Sequence, residues 1–493
     1  MKTVNKGVVL ISPRKIIESD SNFGIPHLVV LAGYLEQELD IRVDLLDLNY
    51  ENKDGRELIE RLRSYEPFHC IGISCYSSFD FLSVMQLGAL IKSCFPDVPL
   101  IVGGYHPSAV PQDFLDGGTP FDAVIAGEGE NACKDLVAGL IDGKGVDHEV
   151  YRSRSITRLD SLPTYRWDLL DRYRSIPKYL DSKVQIYLSR GCPFRCNFCM
   201  EKCKANGGWR AYSADRAVDE LERLGSYIKL KNVVVHIADP LFGHNASWRR
   251  DFLTKIVRSG IRPRLFWALM RVDTLSEEDV CLLSEAGFAI GFGLESGDAG
   301  MLARMNKTAD PEAFLAGITR FEEHSRKHRL HWATNLIVGY PGETYSTMEE
   351  THRFVRHLFA ANDHSFGWLS VDPFRLYPGS PVYTAMEQAN AAGTKLYKPF
   401  WWNEQRNRAF YAEYIDPSSE LTYERRVGFM HSMYAPLIET IRTRFVMREK
   451  DPQDFYMNSI SRQVRLIQKD IRDRLLLLSQ KEKAARNPTR PRS

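Results

Sequence analysis

Cys192, Cys196 and Cys199 lie in Arg190-Gly191-Cys192-Pro193-Phe194-Arg195-Cys196-Asn197-Phe198-Cys199, a C-x3-C-x2-C spacing. Three thiolates from one loop can occupy three corners of a [4Fe–4S] cubane and leave the fourth iron open, unlike the usual four-cysteine set. An open iron is what a substrate or cofactor needs in order to coordinate. The competing chemistry is structural zinc, which wants four closed ligands, typically two separated C-x2-C pairs. Only one such pair is present, and no downstream Cys/His pair completes it. Cys203 as a fourth ligand would close the site as a zinc knuckle; the spacing favours the open cluster, with Cys203 a packed thiol.

The remaining cysteines (Cys70, Cys75, Cys94, Cys133, Cys281) are scattered through 493 residues, which is not a disulfide framework. The chain is 44% hydrophobic and 26% charged, ordinary for a globular protein, and its length predicts two or three domains. A formal net charge of +2 gives no general case for nucleic-acid or membrane binding. The N-terminal residues lack the apolar run and cleavage site of a signal peptide, and no stretch is long and apolar enough for a membrane helix. The expected location is the cytoplasm.

These cysteines must be positioned by an α/β framework. In residues 1–150, short apolar runs at 7–11, 43–46, 70–74, 100–102 and 123–125 alternate with helical periodicity at 28–39, 55–64, 81–94 and 131–141. That alternation predicts βαβ units and a parallel, Rossmann-like (flavodoxin-like) sheet, with ligands beyond the strand carboxyl ends. Residues 151–183 break the rhythm and are taken as a linker. A second series in residues 184–383 has strands at 184–188, 232–237, 264–268, 289–293, 331–338 and 367–374, with helices at 215–227, 248–259, 276–286 and 311–327. Six βα repeats predict a partial (β/α)6 barrel with its chemistry at the strand carboxyl ends. Residues 384–493 read as a mostly helical C-terminal region with a disordered basic tail. Trp401, Trp402 and Tyr411 there suit an interdomain core as well as a substrate cage.

The cysteine segment, with aromatic Phe198 before its last cysteine, resembles the signature of the radical S-adenosylmethionine (SAM) superfamily; the resemblance covers about residues 184–383. It implies that Cys192, Cys196 and Cys199 ligate the cluster and that SAM chelates the open iron through its methionyl amine and carboxylate. One electron then breaks the sulfonium bond, giving methionine and a 5′-deoxyadenosyl radical. It further implies SAM contacts at Phe198, Asp239, Arg271, Glu295, Ile337 and Gly339, most of them at successive strand ends. Asp239 lies in a stretch that resembles a family Asp-Asp-x-Phe motif, whose first Asp is replaced here by Ala238. Arg271 suits the SAM carboxylate and Glu295 the ammonium or ribose hydroxyls. Ile337 and Gly339 belong to Leu336-Ile337-Val338-Gly339-Tyr340-Pro341-Gly342-Glu343, which resembles the adenine-flanking motif.

The N-terminal half resembles the cobalamin-binding domain that precedes the radical SAM barrel in one large subfamily. The matching pieces are Asn22-Phe23-Gly24-Ile25-Pro26, Gly72-Ile73-Ser74, Gly103-Gly104-Tyr105-His106-Pro107-Ser108 and Ala126-Gly127-Glu128-Gly129-Glu130. Glycines there let backbone approach a flat macrocycle. The resemblance implies cobalamin contacts at Ser12, Gly24, Ser74, Tyr76, Gly103, Gly104, His106, Gly127, Glu128 and Gly129. The Asp-x-His-x-x-Gly cobalt motif is absent after the first strand, where Ser12-Pro13-Arg14 stands. Cobalt would thus lack that histidine, His106 is taken as a loop or macrocycle-edge residue, and Tyr76 is placed near the lower cobalt face. The alternative for this domain, a nucleotide-binding flavodoxin-like module, is disfavoured by the missing G-x-G-x-x-G fingerprint.

Together the two domains imply a cobalamin-dependent radical SAM C-methyltransferase, moving a methyl group from SAM via methylcobalamin to an unactivated carbon of a natural-product or peptide substrate. The alternative keeps the same cofactors, [4Fe–4S] cluster, SAM and cobalamin, in a cyclase or rearrangement enzyme. A tRNA methylthiotransferase would need N-terminal cluster cysteines that Cys70, Cys75 and Cys94 do not supply, and auxiliary clusters would need more than Cys281 after Cys203. A cobalamin-dependent sensor is the non-enzymatic option. Expected partners are a small-molecule or peptide substrate and an external one-electron reductant of flavodoxin or ferredoxin type, with no nucleic acid and no membrane.

Overall fold

The computed structural model describes residues 6–14, 24–51, 55–204, 208–360, 363–389, 393–404 and 412–486. Asn22, Phe23, Tyr411 and the end of the basic tail from residue 487 lie outside the described residues. The chain divides into two compact units. One comprises Met1–Arg271, Cys281–Ala289 and Tyr377–Ala385; the other comprises Val272–Val280, Ile290–Leu376 and Met386–Ser493.

The first unit opens with β1 (Gly7–Ser12), β2 (Arg42–Asp47), β3 (Phe68–Ser74), β4 (Leu100–Gly103), β5 (Ala123–Ile125) and β6 (Glu149–Tyr151), in the order β2-β1-β3-β4-β5-β6. All neighbours are parallel, with Val8 opposite Val43 on one side and Cys70 on the other. β1 is buried along its whole length, as a parallel strand covered on both faces requires. The helix Gly55–Arg63 shows how such covers form: Leu58, Ile59 and Leu62 fall on one buried stripe, with Glu57 in the first turn and Arg61 and Arg63 in the last. The strand order reverses between β1 and β3, so a crevice opens beyond their carboxyl ends, Ser12 and Ser74.

β6 is not expected from sequence: it is three residues long, lacks an apolar run and pairs only through backbone with β5. Residues 151–183, read as a linker, are firmly packed. Tyr165 stacks on Trp167 at 5.1 Å, and the buried Tyr173 hydroxyl donates to Glu51 and accepts from the Asp47 amide.

The second strand series starts in the same unit with β7 (Lys183–Ile186). The short antiparallel ribbon β8 (Ser189–Arg190) with β9 (Arg210–Ala211) follows, then β10 (Val234–Ile237) and β11 (Leu265–Leu269). β7, β10 and β11 run parallel, backed by helices Ala214–Tyr227 and Ala246–Ser259. Those helices are N-capped by Ser213 and Asn245, whose side-chain oxygens accept from the Arg216 and Trp248 amides. β12 (Phe288–Glu295) begins in the first unit and ends in the second, and the full sheet reads β14-β13-β12-β11-β10-β7.

In the second unit β13 (His331–Val338) and β14 (Gly367–Pro373) are parallel, beside helices Pro311–His328 and Tyr345–Ala360. The C-terminal region is mainly helical: Tyr423–Phe429, Ala435–Arg444 and the 34-residue Gln453–Arg486. Trp401 and Trp402 are buried, and Trp401 Nε1 donates to the Leu376 carbonyl at 2.8 Å. The architecture is α/β with two parallel sheets and this helical region. Among the described residues, no helix is long and apolar enough to cross a membrane.

Candidate functional site

The cysteine loop is held at its root by Asp239, 1% exposed, at the end of β10. Its Oδ1 accepts from the Leu188 amide at 2.8 Å and its Oδ2 from the Ser189 hydroxyl at 2.6 Å. Burial pushes this carboxyl up to about 7. Both oxygens thus serve the strand end that launches the loop, which is a positioning geometry. The loop then folds on itself: Cys199 N–H donates to the Cys196 carbonyl at 3.2 Å, and Glu201 N–H donates to Cys199 Sγ at 3.4 Å.

Cys192, Cys196 and Cys199 are partly exposed and none of the nine cysteines forms a disulfide. Among the described residues, no three His, Cys, Asp or Glu side chains gather tightly enough to chelate one metal ion. A cubane asks for something else, one thiolate on each of three irons, and the donor set of this loop fits it. Phe198 sits within the loop, partly buried. Arg271 places its guanidinium 4.1 Å from the centre of the Phe194 ring, and His244 meets the same ring edge-on at 5.7 Å.

A cavity of about 1160 Å³, counting its open mouth, lies at the carboxyl ends of β3, β4 and β5. Ser74, Tyr76, Gly103, Gly104, Gly127, Glu128 and Gly129 line it, and so do Tyr187, Arg190, Gly191, Glu201 and Pro240 around the cysteine loop. Gly104 has φ 130° and ψ −166°, and a Cβ there would stand 2.2 Å from the Cys75 carbonyl oxygen. Tyr76, 43% exposed, meets Tyr105 edge-on at 5.4 Å and His27 at 5.6 Å.

Three expected contacts sit elsewhere. Ser12 is buried at the end of β1, where its carbonyl accepts from Leu48 N–H. Gly24 packs against Leu180. His106 is fully buried, bonded to Ser78 at 2.7 Å and Asp113 at 3.1 Å, and burial lowers its pKa. Conversely, His27 and Tyr105 line the cavity without having been singled out from sequence. His27 follows Pro26 at a helix start and bonds Ser74 at 3.2 Å, a placement that no motif signals.

The charged residues Glu128, Glu130 and Arg190 line the cavity, and Arg210 joins them from outside the lining. Arg190 donates to Glu130 Oε1 at 2.6 Å and lies 3.6 Å from Glu128, while Arg210 engages both Glu128 oxygens. Glu128 and Glu130 are both buried.

In the second unit, Glu295 ends β12 with φ 67° and bonds Lys307 at 3.0 Å. A non-glycine residue held in that conformation is a mark of functional sites. Ile337 is partly exposed near the end of β13. Gly339, φ 90°, donates its N–H to the buried Glu343 carboxylate; burial pushes Glu343 up to about 8 against the pull of Arg426. A Cβ at Gly339 would stand 2.6 Å from Arg426 Cδ.

The radical SAM superfamily profile matches residues 186–355, and the B12 binding domain profile matches residues 26–137. The chain belongs to the cobalamin-dependent radical SAM enzymes. Its cofactors are a [4Fe–4S] cluster, SAM and cobalamin. Among curated proteins, an uncharacterized methyltransferase of Pyrococcus horikoshii is 26% identical over 67% of this chain and 72% of its own length. The hopanoid C-3 methylase of Methylococcus capsulatus is 29% identical over 54% of the chain and 52% of its length. The anaerobic magnesium-protoporphyrin IX monomethyl ester cyclase of Rubrivivax gelatinosus is 23% identical over 66% and 60%. The chain thus spans only about half to three-fifths of the latter two. In fold, this radical SAM enzyme is similar to the cobalamin-dependent S-adenosylmethionine radical enzyme OxsB, solved with aqua-cobalamin and S-adenosylmethionine bound. The TM-score is 0.69, covering 93% of this chain and 71% of that one at 17% identity.

Proposed function

We propose that this chain is a C-methyltransferase, moving a methyl group from SAM to an unactivated carbon of a natural-product or peptide substrate. The observation that carries the proposal is the shared cavity: residues of the cobalamin motifs and residues flanking the cluster loop line one space. When bound, the cofactors supply one-electron cleavage of SAM and a carrier for the methyl group. Such chemistry suits a carbon that has no lone pair with which to attack the SAM methyl.

The chain's own residues bind and orient. Cys192, Cys196 and Cys199 hold the cluster, and Asp239 fixes the root of their loop. Phe198 and Arg271 serve SAM at the loop, with Glu295, Ile337 and Gly339 at later strand ends. Gly103, Gly104, Gly127 and Gly129 bring backbone to the macrocycle, while Ser74, Tyr76 and Glu128 supply side chains. Ser12, Gly24 and His106 lie outside the residues that line this cavity. Electrons come from a flavodoxin- or ferredoxin-type reductant in the cytoplasm. Names of relatives that include a methyltransferase and a methylase support this reading.

The second reading is ring formation or rearrangement with the same cofactors, favoured by the similarity to a cyclase. Anaerobic turnover of reconstituted protein separates the two. Methyl transfer yields S-adenosylhomocysteine and 5′-deoxyadenosine together with a methylated product. Appearance of 5′-deoxyadenosine without S-adenosylhomocysteine or methylated product defeats the first reading.

A further inference from the structure

Two polar bridges, both inside the first compact unit, tie the cluster loop to the loops of the cobalamin cavity. In the first, the Tyr105 hydroxyl donates to Glu201 Oε2 at 2.6 Å, and the backbone N–H of the same Glu201 donates to Cys199 Sγ at 3.4 Å. The Tyr105 ring is itself part of the cavity wall. In the second, Arg190 and Arg210 stand opposite each other in the β8–β9 ribbon, whose two strands precede and follow the cysteine loop. Both reach across to the Gly127–Glu130 turn, Arg190 to Glu130 and Arg210 to Glu128.

Hydrogen bonds to cluster sulfurs and to the groups around them tune a cluster's electronics. Charges buried this deeply are stable only while paired, so the ribbon and the turn hold a fixed geometry together. Filling the cavity presses on Tyr105 and on the turn, and through them on Glu201, Cys199 and the ribbon.

We propose that these bridges couple the two cofactor sites, with Tyr105, Glu201, Arg190 and Arg210 as positioning residues. Cobalamin occupancy alters the cluster, and cluster assembly alters cobalamin affinity by the same factor, as linkage requires. The inference rests on the cofactors and not on the reaction, so it holds for methyl transfer and ring formation alike.

The test uses the full chain with and without reconstituted cluster, titrated with hydroxocobalamin, and electron paramagnetic resonance of the reduced cluster with and without cobalamin. In the wild type the two cobalamin affinities differ at least ~5-fold, the low end for coupled sites, and the cluster signal shifts on binding. Tyr105→Phe keeps the ring in the wall and removes only the hydroxyl; the affinity ratio falls toward one and the shift shrinks at unchanged iron content. Arg210→Gln acts in the same direction, and Arg210→Lys restores part of the coupling. A wild-type ratio near one overturns the proposal, as does a wild-type ratio and shift in Tyr105→Phe, which decides alone if Arg210→Gln does not fold. Wild-type protein binding neither iron nor cobalamin would overturn the cofactor assignment itself.

Discussion

Gly104→Ala is the sharpest probe of the cobalamin wall. The φ of 130° and ψ of −166° lie in a region open essentially to glycine alone, at about 1–3 kcal/mol for another residue. A Cβ would lie 2.2 Å from the Cys75 carbonyl oxygen, so it must retreat by 0.8 Å to reach even the 3.0 Å limit of real contacts. Backbone stands on both sides of that overlap, and overpacking of this kind costs about 1–3 kcal/mol more. Relief moves either the Gly103-Gly104 turn or the Cys75-Tyr76 turn, and Tyr76 and both glycines line the cavity. Assigning the lower sum, about 2 kcal/mol, to the bound state predicts roughly 30-fold weaker cobalamin binding. The assay is a hydroxocobalamin titration of the purified full chain by absorbance or equilibrium dialysis, at matched iron content. Gly145→Ala is the control, because nothing lies within 4 Å of a Cβ there. Wild-type affinity in Gly104→Ala would refute the reasoning.

Single Cys192→Ala, Cys196→Ala and Cys199→Ala variants lose most of the iron bound on reconstitution. Cys203→Ala retains it, since the Cys203 thiol donates to the Tyr105 carbonyl at 3.7 Å; equal iron loss in Cys203→Ala would restore the four-ligand site. Arg271→Met keeps the cluster but weakens SAM binding at least ~10-fold, for loss of a charged hydrogen bond worth about 1.5–3 kcal/mol, read as a reduced SAM-induced change in the cluster resonance. The Asp239 carboxyl, raised to about 7 from 3.8, makes the folded chain hold one more proton than the unfolded between about pH 4 and 7. Its contribution to stability therefore falls as pH rises through that window, by at most about 1.4 kcal/mol per pH unit. Asp239→Asn flattens this slope in denaturant titrations at stepped pH; parallel curves for variant and wild type would contradict it.

The two parallel sheets and the cluster loop are legible in the order of residues alone. Eleven of their strands announce themselves as apolar runs flanked by helical periodicity because a strand covered on both faces must be apolar throughout. The cysteine spacing is equally local, since three thiols on one loop meet one cluster whatever surrounds them. The remaining features depend on contacts between distant parts of the chain. β6 owes its pairing to a neighbour's backbone, and the packed aromatics of residues 151–183 show no periodicity from which to infer them. His27 and Tyr105 reach the cavity because of where their helices begin, whereas His106, in the same motif as Tyr105, turns into a fully buried bond pair. Asp239 finds its partners 50 and 51 residues away, and Arg190 and Arg210 find theirs 60 and 82 residues away. No spacing rule reaches so far: once buried, a charge takes whatever partner the fold brings within hydrogen-bond distance, because leaving it unpaired costs more than any local preference.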